Sequence, residues 1–346
     1  MLYYKHCKKF NKVFNMTEHE INAYIMIRRK LAVSRADVAR CLGISRPTAS
    51  LVCESLLAKN LIQECGKGKS TGGTTPTLLR AASSQFNIIG IDFGYSNKMT
   101  AVLLDGAGNI TDEKEAIFLP DDIDSIYQCA QILVQQLAGN KKIDGIALAL
   151  SAIIDERSRE VLKSVNTLFC NKNFLPSLKK IFPYPLFISN RSRSAAISEA
   201  FGGAADKVND FALISLGKSV GGAFWCNGGL FSGTTSSAGE IRNLRISDGT
   251  RLEDLLSKEN IERISRERFV NGCAEALNLI TDIMDFKLLV LSGRFADFGV
   301  DFAPLLQAKL CNNNVTVKQS RFGRFSAARG SAFQMAEFLI KNNNSN

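Results

Sequence analysis

The strongest constraint on the fold is a pattern that occurs twice. Ile88–Asp92 is an apolar run ending in Phe93-Gly94; a polar break follows, then a second apolar run, Thr100–Leu104, which stops at the turn dipeptide Asp105-Gly106. Phe211–Leu216 leads in the same way through Gly217-Lys218-Ser219 to Gly221–Cys226 and the dipeptide Asn227-Gly228. Each copy reads as a strand, a glycine-bearing turn and a returning strand, within an alternation of strand and helix patterns. The repeat predicts an α/β domain over residues 87–346 with two lobes, each opening on one copy. Two such turns suit an anion held between lobes by backbone N–H groups. Two ordinary hairpins would give the same spacing.

Ahead of that domain the pattern is helical. Thr17 with Glu20 is a capping-box signature, and Ile21, Ile25 and Ile27 supply apolar positions for a helix ending near Lys30. Ser34 can cap a second helix, Arg35–Leu42, stopped by Gly43. Ser45 caps a third, with Pro47 in its first turn, where the missing N–H is harmless, and with Leu51, Val52, Leu56 and Leu57 as its buried stripe. Leu61–Glu64 and Thr77–Leu79 read as strands on either side of a loop rich in Gly, Lys and Thr. This succession predicts a winged helix-turn-helix over residues 1–80, followed by a short polar linker at 81–86. Helical corners of ordinary domains share part of the pattern, and charge separates the two readings. Of a net charge of +10, residues 1–80 hold nearly all, with 14 Lys and Arg against 5 Asp and Glu. Such concentrated basicity suits a polyanion, because each neutralised phosphate releases counterions.

The remaining features exclude other classes. Apolar runs such as Leu288–Leu291 and Ile146–Leu150 are far shorter than the roughly 20 residues of a membrane-spanning helix. Met1–Phe14 is interrupted by Lys5, His6, Lys8, Lys9 and Lys12 and does not read as a signal peptide. Nine cysteines scattered from Cys7 to Cys311, without a CxxC pair, predict reduced thiols and a cytoplasmic protein. The two histidines, His6 and His19, lie in the N-terminal part, so the large domain has none for catalysis or metal.

Four segments occur in an order similar to that of the ROK family of repressors, open reading frames and sugar kinases: Ile89-Gly-Ile-Asp92-Phe-Gly94, Pro185-Leu-Phe-Ile-Ser-Asn190, Leu216-Gly-Lys-Ser-Val-Gly221 and Ala238-Gly239-Glu240. Leu42-Gly-Ile-Ser45 and the glycine-bearing loop before Pro76 resemble the family's DNA-binding members. The resemblance implies a two-lobed, actin-like ATPase fold, one lobe of about 87–190 plus a C-terminal helix and one of about 191–325, with a sugar cleft between the lobes, and usually a dimer.

Departures from the family pattern bear on activity. Family kinases carry Asp after the Asn of the sugar-binding strand, as a base for the attacking hydroxyl. Here Arg191 stands there, and a guanidinium is protonated at any working pH. The second phosphate loop, usually Gly-Thr-Gly, is Gly217-Lys218-Ser219, and the first continues after Gly94 as Tyr95-Ser96-Asn97-Lys98. Asp92 remains, with either a metal-arranging role or the plain role of fixing a strand-end turn. Asn243 replaces the zinc-binding His, and no cysteine cluster follows Ser247-Asp248-Gly249-Thr250. Neither zinc nor ATP is expected, and Asp92, Gly94, Ser96, Gly217, Lys218 and Ser219 read as vestigial phosphate loops.

Asn190, Glu240 and Glu253 match the family's sugar ligands and Asn166 another, while Arg191 in the same cleft would favour an acidic or phosphorylated sugar. A cleft carboxylate could equally neutralise Arg191 or Arg242. On the third helix Arg46, Thr48, Ala49 and Ser50 are expected to face base edges, with Arg46 on guanine or on phosphate. Arg35 and Ser45 are further DNA-binding positions, and Lys67 and Lys69 are expected at phosphates. The wing arginine of the family is missing, with Thr74 and Thr75 before Pro76. The expected function is a homodimeric, or dimer-of-dimers, repressor of carbohydrate-metabolism genes that binds an operator duplex and a sugar effector without catalysis. An active ROK sugar kinase with an accessory DNA-binding unit is the alternative.

Overall fold

The computed structural model describes residues 15–68, 75–95, 97–164, 166–216, 219–255, 265–293, 301–312 and 314–342. Local chemistry sets the first elements. The Thr17 hydroxyl accepts from the Glu20 N–H while the Glu20 carboxylate accepts from the Thr17 N–H (2.7 Å), opening α1 (Glu18–Lys30). Ser34 and Asp37 repeat the arrangement for α2 (Arg35–Leu42), which ends at Gly43 with φ +64°, a left-handed conformation that favours glycine. Ser45 then caps α3 (Arg46–Ala58). A hairpin of β2 (Ile62–Lys67) and β3 (Thr77–Ala81) follows, and β1 (Val33–Ser34) completes a sheet of order β1-β3-β2.

These helices bury Tyr24, Ile27, Val38, Ala49, Val52, Cys53 and Leu56 against Leu61 and Leu79. The expected stripe on α3 therefore needs correcting. Leu51 is 67% exposed, and Ala49 and Cys53 take the core positions. The run from Ala49 to Leu57 is apolar at six of nine places, so periodicity left its phase open.

The rest of the chain carries two five-stranded sheets of one topology. The first has the order β10-β7-β4-β5-β6: β4 (Asn87–Tyr95), β5 (Lys98–Asp105) and β6 (Ile110–Ile117) form an antiparallel meander, and β7 (Gly145–Leu150) and β10 (Leu186–Asn190) add in parallel beside β4. The second repeats this with the meander β11 (Phe211–Leu216), β12 (Gly221–Cys226) and β13 (Gly229–Phe231), beside which β14 (Leu288–Gly293) and β15 (Thr316–Gln319) run parallel to β11. A hairpin of β8 (Ala152–Ile154) and β9 (Val161–Ser164) projects after β7.

After α4 (Ile123–Ala138) and α5 (Phe174–Ile181), two helices fill the core shared by these sheets: α6 (Arg191–Ala200) and the C-terminal helix Ser326–Asn342. Their backbones touch, and a Cβ on Gly330 would lie 1.7 Å from the Ser194 carbonyl oxygen. A Cβ on Gly90 would lie 2.0 Å from the Ala328 oxygen, so the same helix is pressed onto β4 as well.

The N-terminal unit is fastened to this body. Arg28, 1% exposed, donates from Nε to the Gly106 carbonyl (3.0 Å) and from Nη1 to the Phe333 carbonyl (3.0 Å), with its guanidinium 3.7 Å from the centre of the Phe333 ring. Arg29 grips Glu337 with two bonds of 2.7 and 2.6 Å. Residues 81–86, expected as a polar linker, are packed: Ala81, Ala82 and Phe86 are buried, and Ser83–Gln85 form a short 3-10 turn. Among the described residues no helix is long and apolar enough to cross a membrane.

Candidate functional site

A cleft opens where β10 passes into α6, lined on one side by Ser151, Lys163, Asn190 and Arg191 and on the other by Ser219 and Glu240. The sequence Asn190-Arg191 places both side chains at the helix start, but each is engaged. Asn190 caps α6, its Oδ1 accepting from the Arg193 N–H (3.0 Å), and its Nδ2 donates to the Ala152 carbonyl (2.8 Å). Arg191 turns away along β4, and its Nε donates to both carboxylate oxygens of Asp92 at 2.9 Å.

Asp92 is 1% exposed and also accepts from the Gly94 N–H (2.8 Å). Burial is the larger influence on this carboxyl and pushes it up, against the pull of the Arg191 charge. Gly94 explains how the arginine fits: a Cβ there would meet Arg191 Cδ at 2.1 Å and Nε at 2.2 Å. The glycine of the first loop thus makes room for a side chain of the protein itself.

Opposite, Arg242 forms ion pairs with two of the expected ligands, with Nε 3.5 Å from Glu240, which lines the cleft, and 3.8 Å from Glu253, which is not among the lining residues. Burial raises the Glu253 carboxyl above its ordinary range, more than Arg242 lowers it. Asn166 is not among the residues lining the cleft. Its amide oxygen accepts from the Leu168 N–H (3.0 Å) and its nitrogen donates to the Pro120 carbonyl (3.5 Å). Ser219 reaches the cleft, whereas Ser96, Gly217 and Lys218 lie outside the described residues. Asn243 ends a short 3-10 turn, and among the described residues no three His, Cys, Asp or Glu side chains converge to hold a metal.

Sequence reasoning missed a bridge between the two lobes. Arg193 donates to Glu156 (2.9 Å) and to the Ser232 carbonyl (3.0 Å), and the Ser232 hydroxyl donates to the same Glu156 oxygen (2.6 Å). The pair Arg191-Ser-Arg193 was visible, but not that its second member joins the hairpin loop of one lobe to a loop of the other.

In the N-terminal unit, the solvent face of α3 is set by its helical period. Arg46, Pro47, Leu51, Glu54 and Ala58 are exposed and Ser50 is half-buried. Ala49 is fully buried and cannot face a base, a correction to the expected set. Thr48 is half-buried and spends its N–H and hydroxyl on Ser45 (3.2 and 2.7 Å), which is itself the cap. Arg35 ties α2 to the hairpin through Glu64 (3.8 Å). Lys67 is exposed and donates to Thr77 (2.9 Å), and Lys69 lies outside the described residues.

The ROK family model matches residues 88–252. That stretch is a ROK family domain. The chain is 26% identical over 237 residues to a xylose repressor of Caldicellulosiruptor bescii, covering 66% of this chain and 59% of that protein. Over 229 residues the chain is 22% identical to an N-acetylglucosamine repressor of Escherichia coli O157:H7, covering 64% of this chain and 56% of that one. It spans less than two thirds of the length of either relative. In structure it is similar to a ROK family transcriptional regulator described as a homologue of the E. coli MLC protein, with a TM-score of 0.67 at 15% identity over 94% of this chain and 97% of that one. A ROK family glucokinase from Streptomyces griseus, in complex with glucose and AMPPNP, aligns with a TM-score of 0.63 at 16% identity over 71% of this chain and 98% of its own. At these identities the likeness is one of fold: the body shares the fold of ROK kinases, and the regulator extends it to nearly the whole chain.

Proposed function

We propose that the chain is a DNA-binding transcriptional repressor of carbohydrate-metabolism genes whose ROK domain binds a sugar or sugar derivative without phosphorylating it. The observation that carries this reading is the buried pair of Arg191 and Asp92 seated on Gly94. Phosphoryl transfer from ATP needs a carboxylate to take the proton of the attacking hydroxyl and a second to arrange magnesium and phosphate. The first position holds a permanent cation. At the second, both oxygens are already given to that cation. Magnesium-ATP does not fit here.

What supports the other half is the basic N-terminal unit, read as a winged helix-turn-helix, together with the repressor names of the relatives. The protein works as a cytoplasmic homodimer or dimer of dimers on an operator duplex, with α3 in the major groove. Polyol recognition falls to Glu240 and Ser219, which line the cleft, with Arg242 pairing Glu240 and Glu253 between ligands. No zinc is required, because Asn243 cannot replace an imidazole ligand. Effector binding shifts the balance between two lobe arrangements by its differential affinity for them.

Operator affinity measured by fluorescence anisotropy, with and without a panel of pentoses, hexoses and their phosphates, tests the reading. At least one ligand is expected to weaken binding tenfold or more, about 1.4 kcal/mol of coupling. Sustained sugar-dependent release of ADP in a coupled assay would overturn the non-enzymatic half. Unchanged affinity across the panel would overturn the sugar response.

A further inference from the structure

The exposed stripe of α3 has a composition that a phosphate-gripping surface would not have. Arg46 is its one cation; beside it stand Pro47, Ser50, a leucine at 67% exposure, and Glu54 one turn further on. Pro47 and Leu51 are four residues apart, so they lie on the same line of the helix and form one small apolar patch. Glu54 would be repelled by a phosphate backbone, yet it occupies the same face. The unit that presents this stripe carries nearly all of the chain's net positive charge, and the stripe is the outward face of the helix that follows the Gly43 turn. In the major groove the only apolar feature of the base edges is the C5-methyl of thymine, and a carboxylate there can accept from the amino group of cytosine.

We infer that Leu51, with Pro47 beside it, is a specificity-determining residue that reads thymine methyl groups in the operator. The inference rests on the DNA-binding reading above and deepens it. Arg46 supplies the polar contact, while Leu51 supplies discrimination that no hydrogen bond provides. Thymine is preferred opposite it because cytosine lacks the methyl and presents an amino group to an apolar surface.

The test uses the full chain. Duplexes selected from a randomised pool define the half-site, and each thymine is then replaced singly by deoxyuridine, which keeps the base pair and its hydrogen-bonding groups and lacks only the methyl. At one or two positions the wild-type chain is expected to bind about fourfold more weakly, the effect of losing contact with roughly one methyl group. Leu51→Ala, a change at an exposed helical site that keeps helix propensity, is expected to bind thymine and deoxyuridine equally there. Arg46→Ala is expected to keep the discrimination while binding more weakly overall. A selected half-site without thymine, a wild-type chain indifferent to every deoxyuridine, or Leu51→Ala retaining full discrimination each overturns the inference while leaving DNA binding intact. Failure to enrich any sequence overturns the DNA-binding reading itself.

Discussion

Arg191→Ala would strand the Asp92 carboxylate inside the body with only the Gly94 N–H for company. Removing one partner of a buried pair costs about 3–5 kcal/mol, so the urea midpoint of the variant is expected to fall by a correspondingly large amount. The double change Asp92→Leu with Arg191→Met removes both charges and is expected to recover most of that loss, since apolar replacement of a whole buried pair is often neutral. If the single and double variants unfold alike, the pair is not what holds this region. The substitution at position 191 was legible in the sequence because it falls next to the motif residue Asn190. Its partner was not, because Asp92 lies 99 residues earlier and β7 separates the two strands involved. Asn190 and Asn166 teach the same lesson: residue type suggested hydroxyl ligands, but helix starts draw on the same amides, and both are engaged in such local bonds.

At the scale of elements, the caps make a pH-dependent prediction. The Ser34 N–H and hydroxyl hold the Asp37 carboxyl below its ordinary range, the backbone bond contributing most. A depressed folded-state value means that the stabilisation is complete above the unfolded carboxylate range, near about pH 4, and is lost as the pH falls through the lower folded value. Thermal melts of the wild type and Asp37→Asn, compared from about pH 7 to about pH 3, are expected to converge at the acid end. A difference that stays constant would mean that the charge of Asp37 does not contribute. Caps of this kind were readable from Thr17, Ser34 and Ser45 because each is closed within four residues. The phase of α3 was not readable: Ala49, Leu51, Val52 and Cys53 crowd together, and only packing against α1 and the hairpin decides which of them faces inward. The first two strands of each meander were legible because the turn between them is local, whereas β6 and β13 were not named, and the parallel strands added beside each meander depend on pairings distant in sequence.

At the scale of the whole molecule, one packed route joins the cleft to the N-terminal unit. The helix that starts at Asn190 lies against the C-terminal helix at Gly330, Gln334 of that helix donates to Ser194 (3.0 Å), and Phe333 and Glu337 receive Arg28 and Arg29 of α1. Burial lowers the Arg28 guanidinium's affinity for its proton, a sign of how completely it is withdrawn from water. Tyr24 beside it, also fully buried, is pushed up to about 12 by the same withdrawal. Arg28→Ala is expected to cost roughly 3 kcal/mol through lost charge-assisted bonds and to give the N-terminal unit its own, lower transition in calorimetry. A single transition at the wild-type temperature would show that the junction is held elsewhere. Nothing near Arg28 in sequence announces this, since its acceptors are 78 and 305 residues away. It follows that the first 81 residues are not an exchangeable cassette. A chimaera crossed over at 81–86 would inherit an arginine without its socket, because the socket is built from the Gly106 turn and the last helix. Recombination between relatives can keep this junction intact only if it carries α1, the Gly106 turn and the helix Ser326–Asn342 together.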